Sequence, residues 1–143
     1  MTRFRSAPDW AELREGNGPA PKQLGPLTRT DFVRYQGASG DMNPIHHDEP
    51  FARAAGFPSP VGVGMLPAGA LHTWVAEWLG PENVRRVTMR WQEPVFAADV
   101  LTLKATLVKK YEENGERRVD VELVATKDNG AIAVTGFATY VVK

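Results

Sequence analysis

The chain has 143 residues, 43% of them hydrophobic and 24% charged, with 17 basic side chains balancing 17 acidic ones. That is the size and make-up of one domain able to bury a core. The zero balance argues against a nucleic-acid or anionic-membrane surface, which needs a basic excess. The lack of cysteine excludes disulfide scaffolds, thiolate zinc sites and cysteine nucleophiles.

The first ten residues, MTRFRSAPDW, are polar and carry no apolar run that could act as a secretory signal. The longest mostly apolar stretch, Val61 to Val75, is broken by Gly, Pro, His and Thr, too short and too interrupted to span a bilayer. Both features point to a cytoplasmic protein. Residues 1–27 are rich in Pro and Gly, so residues 1–20 are expected to form an extended arm, with at most one short strand near Ala20 to Leu27. No repeat divides the rest, and residues 1–143 read as one domain.

Thr28 precedes Asp31 by three residues, a capping-box variant. It predicts a short helix over Phe32, Val33 and Tyr35 that runs to about Ser39 and stops at Gly40. A second short helix should begin at Asp48, with Glu49 and Pro50 in its first turn, and end at Gly56. Gly64 to Leu79 carries one charged side chain, Glu77. Because a surface helix would show a wider polar face, this one is predicted to be long, central and buried. Pro67 falls in its first turn, where a missing N–H costs little, and Gly80 with Pro81 ends it.

From Val84 onward the period changes to two. Leu101, Leu103, Ala105 and Leu107 alternate with Thr102, Lys104 and Thr106; Val119, Val121, Leu123 and Ala125 alternate with Asp120, Glu122 and Val124. Asn114 with Gly115, and Asn129 with Gly130, supply two strong hairpin turns. Together with Val84 to Trp91 and Ala131 to Val142, these runs predict a four-strand antiparallel meander. A long apolar helix followed by such a meander suggests an α+β fold, a curved antiparallel sheet wrapped around a central helix.

The most informative segment runs from Ser39 to Asp48. It sets Asp41 and His46 five residues apart, about 140° around a continuous helix. Gly40 and Pro44 forbid such a helix, Pro44 because it lacks an N–H and disfavours helical geometry at Asn43. A bent loop can turn the carboxylate and the imidazole toward one point. Hydration of a conjugated double bond needs such a pair, one role taking a proton from water and the other delivering one to the α-carbon. Asp, Asn and Pro are also ordinary turn residues, so spacing alone equally allows a capped turn with His46 packed beside it.

The string YQGASGDMNPIHHDEPFARAAGF resembles the signature of the MaoC-like dehydratases, the (R)-specific enoyl-CoA hydratase family of the hot-dog fold. The resemblance covers about Leu27 to Gly80, and the later strands in pattern only. It implies that Asp41 and His46 are the catalytic pair and that Asn43 holds the loop or the water, with Ser39 a supporting neighbour. It also implies that the backbone of Gly64, with Met65 beside it, contacts the thioester oxygen. Helix physics gives that contact a cause, since the first N–H groups of the buried helix lack intrahelical partners and its dipole favours negative charge. The alternative reading is that Gly62 and Gly64 serve only close packing of helix on strand. Val63 stands where many members carry a histidine and cannot hydrogen-bond. His72, further along the helix, is a candidate to compensate, although a lone buried histidine is more often a satisfied core residue.

Three further features stay open on sequence. Adjacent His46 and His47 point apart in extended backbone and no third ligand has suitable spacing, so no metal is expected. Trp74 and Trp78, one turn apart, read as core or as the wall of an acyl channel. Arg85, Arg86 and Arg90 are either contacts for CoA phosphates or an ordinary solvated strand edge. The resemblance implies an acyl-CoA or acyl-carrier-protein thioester as substrate, with no cofactor beyond that carrier, and no nucleic-acid or membrane partner is expected. The resemblance further implies a homodimer or a heterodimer with a related chain. A thioesterase on the same fold, or a non-catalytic partner subunit, are the competing readings. Retention of both Asp41 and His46 argues against each.

Overall fold

Residues 7–143 are described in a computed structural model of the chain. Strand β1 (Lys22–Leu24) leads into helices α1 (Arg29–Ser39), α2 (Glu49–Ala54) and α3 (Met65–Leu79). Strands β2 (Val84–Trp91), β3 (Leu101–Glu113), β4 (Glu116–Lys127) and β5 (Ile132–Val141) follow.

The helix ends obey their local chemistry. Thr28 Oγ1 accepts the Asp31 N–H at 3.1 Å, and Asp31 returns the bond to the Thr28 N–H at 2.8 Å. A cap of this kind contributes about 1 kcal/mol. The two Thr28 bonds hold the Asp31 carboxyl below its ordinary range. Gly40 ends α1 with φ +78°, a left-handed conformation that costs glycine little. Asp48 caps α2 through the Phe51 N–H at 2.9 Å. Helix α3 has Gly64 at its N-cap and no side-chain cap at all.

All strands pair antiparallel in one sheet of order β1-β3-β4-β5-β2. Both Asn-Gly turns lie where the sequence sets them. Asn114 and Gly115 turn β3 into β4 with φ +52° and +75°, the signs of a type I′ turn. Gly130, at φ +88°, donates its N–H to the Lys127 carbonyl at 2.9 Å before β5 begins.

One expectation fails. Only β3, β4 and β5 form a meander; β2 pairs with β5 at the far edge and does not touch β3 as a neighbour. The connection from β2 to β3, residues 92–100, crosses the end of the sheet instead of turning back. Its length and Pro94 already exceed what a hairpin loop uses.

Helix α3 lies on β4 and β5. Leu71, Val75 and Leu79 are fully buried there with Val119, Val121 and Ala138. The sheet closes around this helix, which is the hot-dog arrangement. Trp74 belongs to that core, and Trp78 packs on its border. Residues 1–6 of the expected arm lie outside the described residues. From residue 7 to 20 the chain turns rather than running straight, and it is pinned along β3. Gly16 donates to the Leu107 carbonyl and Leu107 to that of Asn17, both at 2.8 Å. Leu13 is buried in the core, and Lys110 Nζ ties the carbonyls of Trp10 and Leu13 at 2.7 and 2.9 Å. No described helix is long and apolar enough to cross a membrane.

Candidate active site

The left-handed Gly40 turns the chain out of α1, and Pro44 opens a single 3₁₀ turn over Pro44–His46. Between them the polar side chains fold the loop on itself. Ser39 Oγ accepts the Asp41 N–H at 3.3 Å, Asp41 Oδ1 accepts the Asn43 N–H at 3.2 Å, and Asn43 Oδ1 accepts the Ile45 N–H at 3.1 Å. These bonds bring Asp41 Oδ2 to 3.6 Å from His46 Nε2. The Asp41 side chain is 47% exposed and that of His46 only 8%.

The tautomer of His46 follows from its other nitrogen. Nδ1 lies 2.7 Å from the Val61 carbonyl oxygen, which can only accept, so Nδ1 carries the hydrogen. In the neutral ring Nε2 is then an acceptor, and it faces a second acceptor, Asp41 Oδ2. Such a pair can receive hydrogens from one donor placed between them.

Gln36 is the residue that sequence reasoning missed in this loop. It is buried, four residues after the buried Phe32 on the inner side of α1. Its amide nitrogen donates to the carbonyls of Asp41 and Asn43 at 2.8 and 3.2 Å. Its Oε1 lies 3.0 Å from His47 Nδ1, so His47 supplies that hydrogen. A polar residue at the i+4 position from a core phenylalanine was the available signal. The two adjacent histidines thus use their Nδ1 atoms on separate partners, and among the described residues no group of side chains has the make-up of a metal site.

Beyond His46 opens an apolar cavity of about 310 Å³, walled by Ile45, Phe57, Val61, Pro67 and Val95 and bordered by Gly64 and Trp91. The crossover at residues 92–100 builds one side of it, with the Gly62 N–H donating to the Val95 carbonyl at 2.8 Å. The two glycines before α3 differ here. A Cβ on Gly62 would lie 2.6 Å from Val95 Cγ2 and 3.0 Å from the Phe32 ring, so Gly62 serves close packing. A Cβ on Gly64 would meet only the edge of the Trp91 indole, at 3.3 Å. Among the described residues the Gly64 N–H has no hydrogen-bond acceptor, while its carbonyl accepts the Trp91 indole N–H at 2.7 Å. Trp91, read from sequence as the end of a strand, is a second residue that pattern alone did not single out.

Other candidates sit apart. The Met65 side chain is 49% exposed and does not line this cavity. His72 lies two turns along α3, with Nε2 2.9 Å from the Tyr140 hydroxyl. Burial lowers the His72 pKa and pushes that of Tyr140 up to about 12, so both are neutral near pH 7. Val63 is buried. Arg85 is committed to Glu116 at 2.8 Å, whereas Arg86 and Arg90 are exposed on β2.

The chain is similar to several known proteins. Over 79 residues, 52% of this chain, it is 38% identical to the 3-hydroxyacyl-thioester dehydratase Y of Mycobacterium tuberculosis, covering 27% of that protein. Over 78 residues, 54% of this chain, it is 35% identical to the peroxisomal hydratase-dehydrogenase-epimerase of Saccharomyces cerevisiae, covering 8% of that protein. The chain therefore spans less than a third of the length of either curated relative. Among solved structures, the R-hydratase PhaJ1 from Pseudomonas aeruginosa superposes with a TM-score of 0.81 at 26% identity, over 94% of this chain and 84% of that one. The family model described as the MaoC like domain matches residues 13–129, most of the chain. This chain belongs to the MaoC-like domain family.

Proposed function

We propose that the chain adds water reversibly to trans-2-enoyl thioesters of lipid metabolism, giving (R)-3-hydroxyacyl thioesters, with Asp41 and His46 as the acid–base pair. The observation that carries this reading is the juxtaposition of Asp41 Oδ2 with His46 Nε2 at 3.6 Å, both acceptors, beside an apolar cavity bordered by the N-terminus of α3. A water donating one hydrogen to each group is held with its oxygen free to attack C3. As the new C–O bond forms, one proton passes to the pair, and the C2=C3 electrons move onto the thioester as an enolate. The pair then returns a proton to C2, so that H and OH add across the double bond. The enolate oxygen faces the N–H of Gly64 at the positive end of α3, where negative charge is favoured. Asn43 and Ser39 hold the loop that carries Asp41.

The carrier, CoA or the phosphopantetheine of an acyl-carrier protein, arrives with the substrate, and the reaction needs no further cofactor. We place it in the cytoplasm. We also propose a dimer with a second copy or a related chain. An open eight-residue edge strand, β2, and an uncovered groove lined by Leu24, Tyr35, Leu66 and Ala70 support that assembly. A stable, fully active monomer by sedimentation at micromolar concentration would overturn it.

The test is loss of enoyl absorbance when purified protein meets a chain-length series of enoyl-CoA esters, with the product resolved on a chiral column. Release of free thiol without loss of a double bond would identify a thioesterase instead. An (S) product would sink the mechanism.

A further inference from the structure

The end of α3 that borders the cavity is held in an unusual way. Helices α1 and α2 are fastened by Thr28 and Asp48, whose side chains accept N–H groups of the first turn. Helix α3 begins on Gly64 and has no such cap. Glycine is the residue least able to hold its own dihedral angles. An oxyanion donor, by contrast, works only if its direction is fixed before charge develops.

We propose that Trp91 is a positioning residue that supplies the missing fastening from outside the helix. It lies 27 residues away on β2, and its indole N–H reaches the Gly64 carbonyl at 2.7 Å. In a trans peptide the carbonyl and the following N–H point in opposite directions. Holding the Gly64 oxygen on the Trp91 side therefore fixes the Met65 N–H on the other side. It also restrains the Gly64 backbone, whose own N–H belongs to the adjoining peptide. Because Trp91 is 49% exposed, core packing does not explain the indole. The inference rests on the hydration reading for its catalytic consequence, but the restraint itself is a property of the free protein.

Two variants separate the N–H from the ring. Trp91→Phe keeps an aromatic wall and removes the donor. Trp91→His keeps a donor, because imidazole Nε2 occupies the ring position of indole Nε1. Three quantities are read for each: kcat and KM for enoyl-CoA hydration, the melting temperature, and backbone amide NMR order parameters at Gly64 and Met65. Trp91→Phe is expected to lower kcat by about five- to tenfold, the worth of one neutral hydrogen bond, and to lower both order parameters. KM should stay within about twofold and the melting temperature should fall by no more than a few degrees, with Trp91→His recovering most of these losses. Wild-type order parameters and kcat in Trp91→Phe would overturn the assignment. So would a rise in KM alone, which makes the ring only a wall. If the wild-type protein does not hydrate enoyl esters, the proposed function falls, and the order-parameter comparison alone decides the role of Trp91.

Discussion

Two histidines, His46 buried and His72 half-buried, show how one residue type is put to different uses. His46 sits in a loop that Gly40 and Pro44 keep out of helical geometry, and His72 sits in the middle of α3. Each commits one ring nitrogen to a neighbour within hydrogen-bond distance. The partner decides the rest. A backbone carbonyl holds His46 in one tautomer and leaves Nε2 facing a carboxylate and a cavity. His72 spends its Nε2 on a buried tyrosine and is kept neutral by burial. A histidine serves proton transfer where its second nitrogen meets a group with which it can exchange; otherwise it is a core residue with one bond satisfied.

The sharpest way to break this contrast is to disable each site in turn. Asp41→Asn and His46→Gln should each cut hydration about 10²–10⁴-fold, the usual worth of a general acid or base. If the two act as the proposed pair, the double variant should lose little more than the worse single one. Folded single variants at wild-type rate would remove the loop from the mechanism.

The paired glycines offer the next test. Gly64→Val should keep the melting temperature and lose about 10²–10³-fold in turnover, as when an oxyanion donor is displaced. Gly62→Ala should do the reverse, costing about 1–3 kcal/mol of stability through its clash with Val95 and Phe32. Equal effects on stability and rate from both would show that the two positions are not distinguished as argued.

A smaller effect is expected at Gln36. Gln36→Leu leaves the carbonyls of Asp41 and Asn43 without their donor, a cost of about 1–3 kcal/mol, and it loosens the loop that carries Asp41. Chemical denaturation measures the first, and a fall in kcat reports the second. An unchanged melting profile would mean that water replaces the amide.

The smallest effect concerns His72. Its folded pKa lies below the ordinary 6.5, so as pH falls through that value the unfolded chain takes up the proton first. Stability is full above about pH 6.5 and declines below it, levelling once the folded ring also protonates. His72→Gln retains a partner for Tyr140 but cannot ionise, so its melting temperature should vary less between about pH 7 and 5. An equally steep slope would reassign the dependence to another group.

Much of the fold was legible because its signals are local. Thr28 with Asp31, Gly40, Asp48 and the two Asn-Gly turns act within a few residues of themselves, and each lies where chemistry puts it. The partner of β2 was not legible, because a period of two gives a strand its faces but not its neighbours. In the site, Gly40 and Pro44 announced the bend that joins Asp41 to His46. The Val61 carbonyl could not be foreseen, since a backbone oxygen has no residue identity. Trp91 reads as strand, and only the fold brings it back to Gly64.

The pairing of β2 with β5 also sets an order of assembly. Trp91 lies opposite Val134, and the strand carrying that partner follows every other strand of the sheet in the chain. During synthesis the loop from Ser39 to Asp48 and the whole of α3 leave the ribosome long before β5 exists. Contacts so distant in sequence are slow to form. The helix end therefore waits uncovered, and the wall around its first turn is completed only when the last strand docks. A nascent chain stalled before Val134 would hold Asp41 and His46 but lack the strand that carries Trp91 on its edge, so the wall of the cavity is finished well after the loop is made.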